Sequence, residues 1–260
     1  MEPPPTQVED PSVLQMLPAI IAQYPGKVGE MVPQALSNSL WASARLKDVV
    51  PEVLEIVPTV VAQIPARVKE MIPQHLSNCL RASAQLKTDE PKVLESVPAI
   101  VGEIPEKMKD MKAQDLSNIL ETLVDLQESV PAVASLVAPS LGEDFMRSAA
   151  GHLNDLFPKL TGKDLYLGVP TVIWACAKLN AHHENLLASA AKRFRSTKKL
   201  SPMQDFSLCA LSWSYEVLDS EGEFKYFRNV LASEVARRNL SDADVERSSL
   251  GYLKWSQTKV

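Results

Sequence analysis

PQALSNSLWASARLK, residues 33–47, decides the fold. It returns as PQHLSNCLRASAQLK at residues 73–87 and, with more changes, as AQDLSNILETLVDLQ at 113–127. The offset is 40 residues each time. Leu36, Leu40, Ala44 and Lys47 follow one another at helical steps, so the block predicts an amphipathic helix with one apolar face. Ala42, Ser43 and Ala44 are small and allow a neighbouring helix close approach. A lone helix of this kind leaves its apolar face open, whereas stacked copies bury it against one another.

Working outward, each block is the second half of a longer unit. Residues 11–50 and 51–90 agree at 21 of 40 positions, and 51–90 agrees with 91–130 at 17 of 40, which establishes duplication. The first halves carry prolines at 11, 18 and 25, at 51, 58 and 65, and at 91, 98 and 105. Proline suits a first helical turn and disrupts a helix interior. The spacing therefore predicts a helix A over Pro51–Met71, kinked at Pro58 and kinked or broken at Pro65; two short helices are the alternative. Helix B starts at Pro73 and runs to Lys87.

The second half keeps the pattern more loosely. VPTVIWACAKL at 169–179 aligns with LSNSLWASARL at 36–46, offset by 133 residues, which places an insertion around 142–168. SPMQDFSLCALSWSYEVL at 201–218 predicts another helix B with Ser201–Gln204 as its cap. Ser241–Asp244 caps a last one, which reaches Trp255. Glu184–Arg195 and Glu221–Arg238 predict A helices. The expectation is an all-α fold, an α-solenoid of about six helical-hairpin repeats with a period near 40. Residues 1–10 form a disordered lead-in, 11–130 three close repeats, and 131–260 divergent repeats of the same solenoid.

Composition narrows the function. The chain is 45% hydrophobic, which suits a globular protein. Its net charge of −5 is uneven: residues 1–130 carry −7 and residues 131–260 carry +2. Nucleic-acid-binding domains are usually basic, so the second half is the better place for such a role. Cys79, Cys176 and Cys209 form no paired motif, and each sits among apolar residues of a predicted helix. No apolar stretch of about 18 residues exists to span a membrane. MEPPPTQVED is acidic and proline-rich, unlike a secretory signal or an Arg-rich transit peptide.

A period of 40 exceeds tetratricopeptide and ankyrin units and leaves HEAT and armadillo units open. The helix B pattern is more specific. Gln34, Leu36, Asn38, Leu40, Trp41, Ala42, Ala44 and Leu46, together with VPTVIWACAKL, resemble the core of the octotricopeptide repeat. They are also similar to the leucine-rich helical region of Fas-activated serine/threonine kinase-like organellar proteins. The resemblance covers residues 11–255. It implies binding of single-stranded RNA in a mitochondrion or chloroplast, in RNA processing, regulation of mRNA stability or translation. Against the family's pattern, the third repeat has Glu121 in place of the tryptophan, and no C-terminal RAP-type domain is visible.

Site candidates follow from chemistry. KRFRSTKK concentrates Lys192, Arg193, Arg195, Lys198 and Lys199 around Phe194; the cations would neutralise phosphates, and Phe194 is either a stacking platform or core. Asn38, Asn78 and Asn118 do not vary between repeats and predict a structural role, since base readers change with the base. Positions that vary are reader candidates: Ala35, His75 and Asp115 at one, Trp41, Arg81 and Glu121 at the other. Trp41, Trp174, Trp213 and Trp255 predict core anchors. His182 and His183 lack metal-ligand partners at a readable spacing. No phosphate-cradling glycine loop, nucleophile triad or kinase motif occurs, so neither enzyme activity, a cofactor nor a small-molecule substrate is expected. A protein-binding scaffold is the alternative to RNA. The two differ in whether Lys192, Arg193, Arg195, Arg228, Arg237 and Arg238 converge in space.

Overall fold

Proline and glycine-poor amphipathic segments build a chain whose regular elements, among the described residues, are all helical. The computed structural model describes residues 11–130 and 142–250; the expected lead-in at 1–10 and Trp255 lie outside them. Two compact units divide the chain at Ile104/Pro105.

The first unit holds α1 (Pro11–Gln23), α2 (Pro33–Leu46), α3 (Val57–Arg67), α4 (Pro73–Leu86) and α5 (Val97–Lys107), the last of which runs past the division. The predicted helix A is three pieces: a 3-10 segment Pro51–Ile56, α3, and a 3-10 segment Val68–Glu70. The break therefore falls before Pro58, which occupies the first turn of α3, where its missing N–H costs nothing. Pro65 is tolerated inside α3, near its C-terminal end. The same order returns with Pro91–Ser96, α5 and Met108–Asp110. Helix B is as expected, with Pro33 and Pro73 opening α2 and α4. Helix α2 packs on α4, α1 on segment 51–56, and α3 on segment 91–96. Leu36, Leu40, Leu76 and Leu80 are wholly buried, as are Val57, Val60, Ile64, Val97, Ile100 and Ile104. Lys47 crosses from one repeat to the next: its Nζ meets Asp89 Oδ2 at 2.5 Å and the Gln85 carbonyl at 3.3 Å.

The second unit holds α6 (Ala113–Ser129), α7 (Glu143–Leu156), α8 (Val169–Lys178), α9 (Glu184–Arg193), α10 (Thr197–Leu200), α11 (Asp205–Leu218), α12 (Lys225–Arg237) and α13 (Asp242–Ser248). Helices α6, α8, α11 and α13 pack in that order; α7 lies on α9, and α10 on α12. The stretch 142–168 holds α7, a 3-10 turn at Phe157–Lys159 and a π-helix at Asp164–Gly168, which lead into α8. Helix α11 begins at Asp205, later than expected, and Ser201 is not its cap. The Leu200, Ser201 and Met203 carbonyls are instead held by Arg238. Ser241 does cap α13, accepting from Asp244 N at 3.2 Å while the Asp244 carboxylate accepts from Ser241 N at 2.9 Å.

Tryptophans behave unequally. Trp174 is 2% exposed, and its indole N–H donates to the Ser249 carbonyl at 3.3 Å. Trp213 is half-buried. Trp41, expected as a core anchor, is 45% exposed, one helical step away from buried Leu40, with the Arg45 guanidinium 5.7 Å above its ring. The asparagines differ between repeats: the Asn38 side chain is exposed and, like that of Asn78, makes no hydrogen bond among the described residues, whereas Asn118 is engaged. The buried polar partner is the preceding serine: Ser37 donates to the Gln34 carbonyl and Ser117 to that of Gln114.

Candidate nucleic-acid interface

Helix α9 ends in Lys192 and Arg193, cations that suit the negative end of the helix dipole. The chain then turns at Phe194 and restarts as the single-turn α10, which carries Lys198 and Lys199. Phe194 is 1% exposed and packs on Tyr166, ring centroids 5.9 Å apart, so it anchors the turn and offers no face to a base. Its burial turns the flanking cations outward: Lys192, Arg193, Arg195, Lys198 and Lys199 are all exposed.

Four of them, Lys192, Arg193, Arg195 and Lys199, line one cleft of about 570 Å³. Asn154, Phe157 and Pro158, at the end of α7, and Ser189 complete its wall. Ser189 Oγ donates to Asn154 Oδ1 at 2.7 Å, and Arg193 donates to the Leu160 carbonyl at 3.5 Å. None of the four cations has a carboxylate partner among the described residues. Lys198 is exposed but does not line the cleft.

The other arginines serve a different purpose. Arg228 faces Asp219 at 3.7 Å. Arg237 and Arg238 converge on the buried Glu234 carboxylate, at 2.7 and 2.9 Å. These bonds hold the Glu234 carboxyl below its ordinary range, the Arg237 bond foremost, despite burial. Arg238 also meets Asp205 at 3.0 Å. With its bonds to the Leu200, Ser201 and Met203 carbonyls, it pins the segment that follows the basic run. The six cations therefore differ in pairing: Arg228, Arg237 and Arg238 belong to ion pairs, whereas Lys192, Arg193 and Arg195 have no carboxylate partner among the described residues.

Of the reader positions, Ala35, Trp41, His75 and Arg81 belong to the first unit and Asp115 and Glu121 to the second. His75 is half-buried, and burial lowers its imidazole pKa. Its Nδ1 is buried and has no hydrogen-bond partner among the described residues. At the equivalent place Asp115 accepts from Lys112 N at 3.3 Å, a capping role. Arg81 is half-buried and Glu121 buried, so of that variable position Trp41 alone is well exposed. Neither position behaves as a row of free side chains.

His183 caps α9, its Nδ1 accepting from Leu186 N at 3.3 Å. His182 and His183 line a smaller cleft of about 340 Å³ with Glu143 and Arg147. Among the described residues no group of three or more His, Cys, Asp or Glu is placed to hold a metal. The three cysteines are buried and form no disulfide among the described residues, and burial pushes the Cys79 and Cys176 thiols up to about 12. No described helix is long and apolar enough to cross a membrane.

Asn154, Phe157, Pro158 and Ser189 carried no signal in the sequence. Ser189 and Asn154 are 35 positions apart and meet because α7 packs on α9. No family of proteins, no curated protein and no solved structure matches the chain.

Proposed function

We propose that this chain is a single-stranded-RNA-binding α-solenoid, built from about six helical hairpins, that acts in organellar RNA processing, stability or translation. The observation that carries the reading is the group of four cations around one cleft that have no carboxylate partner among the described residues. Solvated lysines and arginines beside a concave surface attract a polyanion and release its counterions on binding. The solenoid is supported by the 40-residue sequence period and by the ordered packing of α6, α8, α11 and α13. The organellar setting rests on the octotricopeptide-like helix B.

The test is a titration of the purified chain with a fluorescent single-stranded RNA pool at two salt concentrations. A variant with Lys192, Arg193, Arg195, Lys198 and Lys199 changed to Ala serves as control. Salt-sensitive binding that the variant loses is the expected result. Absence of binding even at low salt would overturn the reading. It would favour a protein-binding scaffold, for which the acidic first half and the exposed Val32, Trp41, Val49 and Ile72 supply the surface.

A further inference from the structure

The cleft beside α9 is not uniformly basic. Lys192, Arg195 and Lys199 line it together with an apolar stretch in the 3-10 turn after α7, where Pro158 is exposed and Phe157, 6% exposed, offers only its edge. A pure phosphate site needs donors around the anion and has no use for an apolar wall. A nucleotide needs both, because its base is a flat apolar face joined to an anion. The volume, about 570 Å³, lies within the range of about 300–1,000 Å³ usual for small-ligand clefts. Asn154 adds a polar group at the wall. Its Oδ1 is occupied by the Ser189 hydroxyl at 2.7 Å, which leaves the two Nδ2 protons for a ligand.

We propose that this cleft is a single-nucleotide subsite: it takes one unpaired nucleotide, with phosphate on Lys192, Arg195 and Lys199, base against the exposed Pro158 ring and the edge of Phe157, and the Asn154 carboxamide donating to an acceptor on the base edge. Ser189 positions Asn154. The inference rests on the RNA reading and deepens it from charge attraction to recognition of a base. It needs no change in the backbone, since the wall is formed by the end of α7 and the rim by the end of α9 and α10.

The experiment compares a uridylate decamer with an abasic ribose-phosphate decamer of the same length and charge, each titrated into the whole chain at several salt concentrations. The expected result is binding about tenfold weaker for the abasic strand, the scale of one base contact. The salt slope stays unchanged because the phosphates are the same. Asn154→Ala reduces the preference for the uridylate strand and leaves the slope alone; Lys192→Ala with Lys199→Ala lowers the slope. Ser189→Ala reduces the preference in the same way as Asn154→Ala, with circular dichroism confirming the fold of each variant. Equal binding of the two strands, or a base preference untouched by Asn154→Ala, overturns the subsite while the RNA reading stands. Failure of both strands to bind overturns both.

Discussion

At the residue scale, the burial of a single ring separates roles that residue type alone leaves together. Trp41 and Trp174 align in the repeat pattern, yet one is 45% exposed and the other 2%. Trp174→Ala removes a buried aromatic and its bond to Ser249, an expected loss of about 3–5 kcal/mol of stability. Trp41→Ala removes an exposed ring whose nearest cation, Arg45, stays solvated, an expected change under about 1 kcal/mol. Urea unfolding of the two variants measures the difference. Phe194 and its neighbours make the same point. One buried ring fixes which way five cations face, so Phe194 contributes to the basic surface without touching it.

At the element scale, helix ends and the ties between them set the geometry. Asn180 has φ of 51° after α8 and Asn239 has φ of 55° after α12. Both end their helices the same way: Ala181 N donates to the Cys176 carbonyl and Leu240 N to that of Val235. Left-handed backbone favours Gly and tolerates Asn, so Asn180→Gly should be near neutral and Asn180→Ala should cost about 1 kcal/mol, read by thermal unfolding. Helix α12 carries the second element-scale prediction. The Glu234 carboxyl is held below its ordinary range by its arginine bonds, so its pKa is lower folded than unfolded. The stabilisation is complete above the unfolded value and is lost as pH falls through the folded one. Glu234→Gln should therefore show a smaller drop in Tm between pH 7 and pH 3 than the native chain, seen by circular dichroism. If the two drops are equal, Glu234 does not carry acid sensitivity.

At the scale of the whole molecule, charge is divided along the chain. Residues 1–130 carry a net −7, and the cleft with its cations lies in the second unit, Pro105–Val260. On the proposed RNA reading, a strand bound there would make few phosphate contacts. The slope of log K against log salt falls by about 0.7 for each phosphate contact removed from a single strand, so a variant lacking Lys192, Arg193, Arg195 and Lys199 should lose up to about 3 from the slope. A fluorescence titration series checks it. A slope unchanged in that variant would place the polyanion elsewhere on the surface.

Much of the architecture was legible beforehand because it depends on near neighbours. Helix B follows from apolar residues three and four apart and from Pro33 or Pro73 at the first turn. The capping of α13 by Ser241 and Asp244 is equally local. Where expectation and structure part, the cause is a distant partner. Ser201 does not cap α11: it closes α10, donating its N–H to the Thr197 carbonyl, while its own carbonyl is held by Arg238, 37 positions on. The proline-rich helix A was left open between a kink and a break, since the choice depends on how segment 51–56 packs on α1.

The sequence by itself determined that this chain is helical, that its first 130 residues repeat every 40, and that its cations gather after Ala191. Each of those properties is set by residues within a turn or two of one another. Only the tertiary structure decided which cations are committed to carboxylates and which remain solvated. It also decided that Asn154, Phe157 and Pro158 line one cleft with Ser189 and Lys192. Ion pairing and cleft formation depend on the approach of helices far apart in the chain, and a periodic pattern fixes the faces of helices without fixing what stands opposite them.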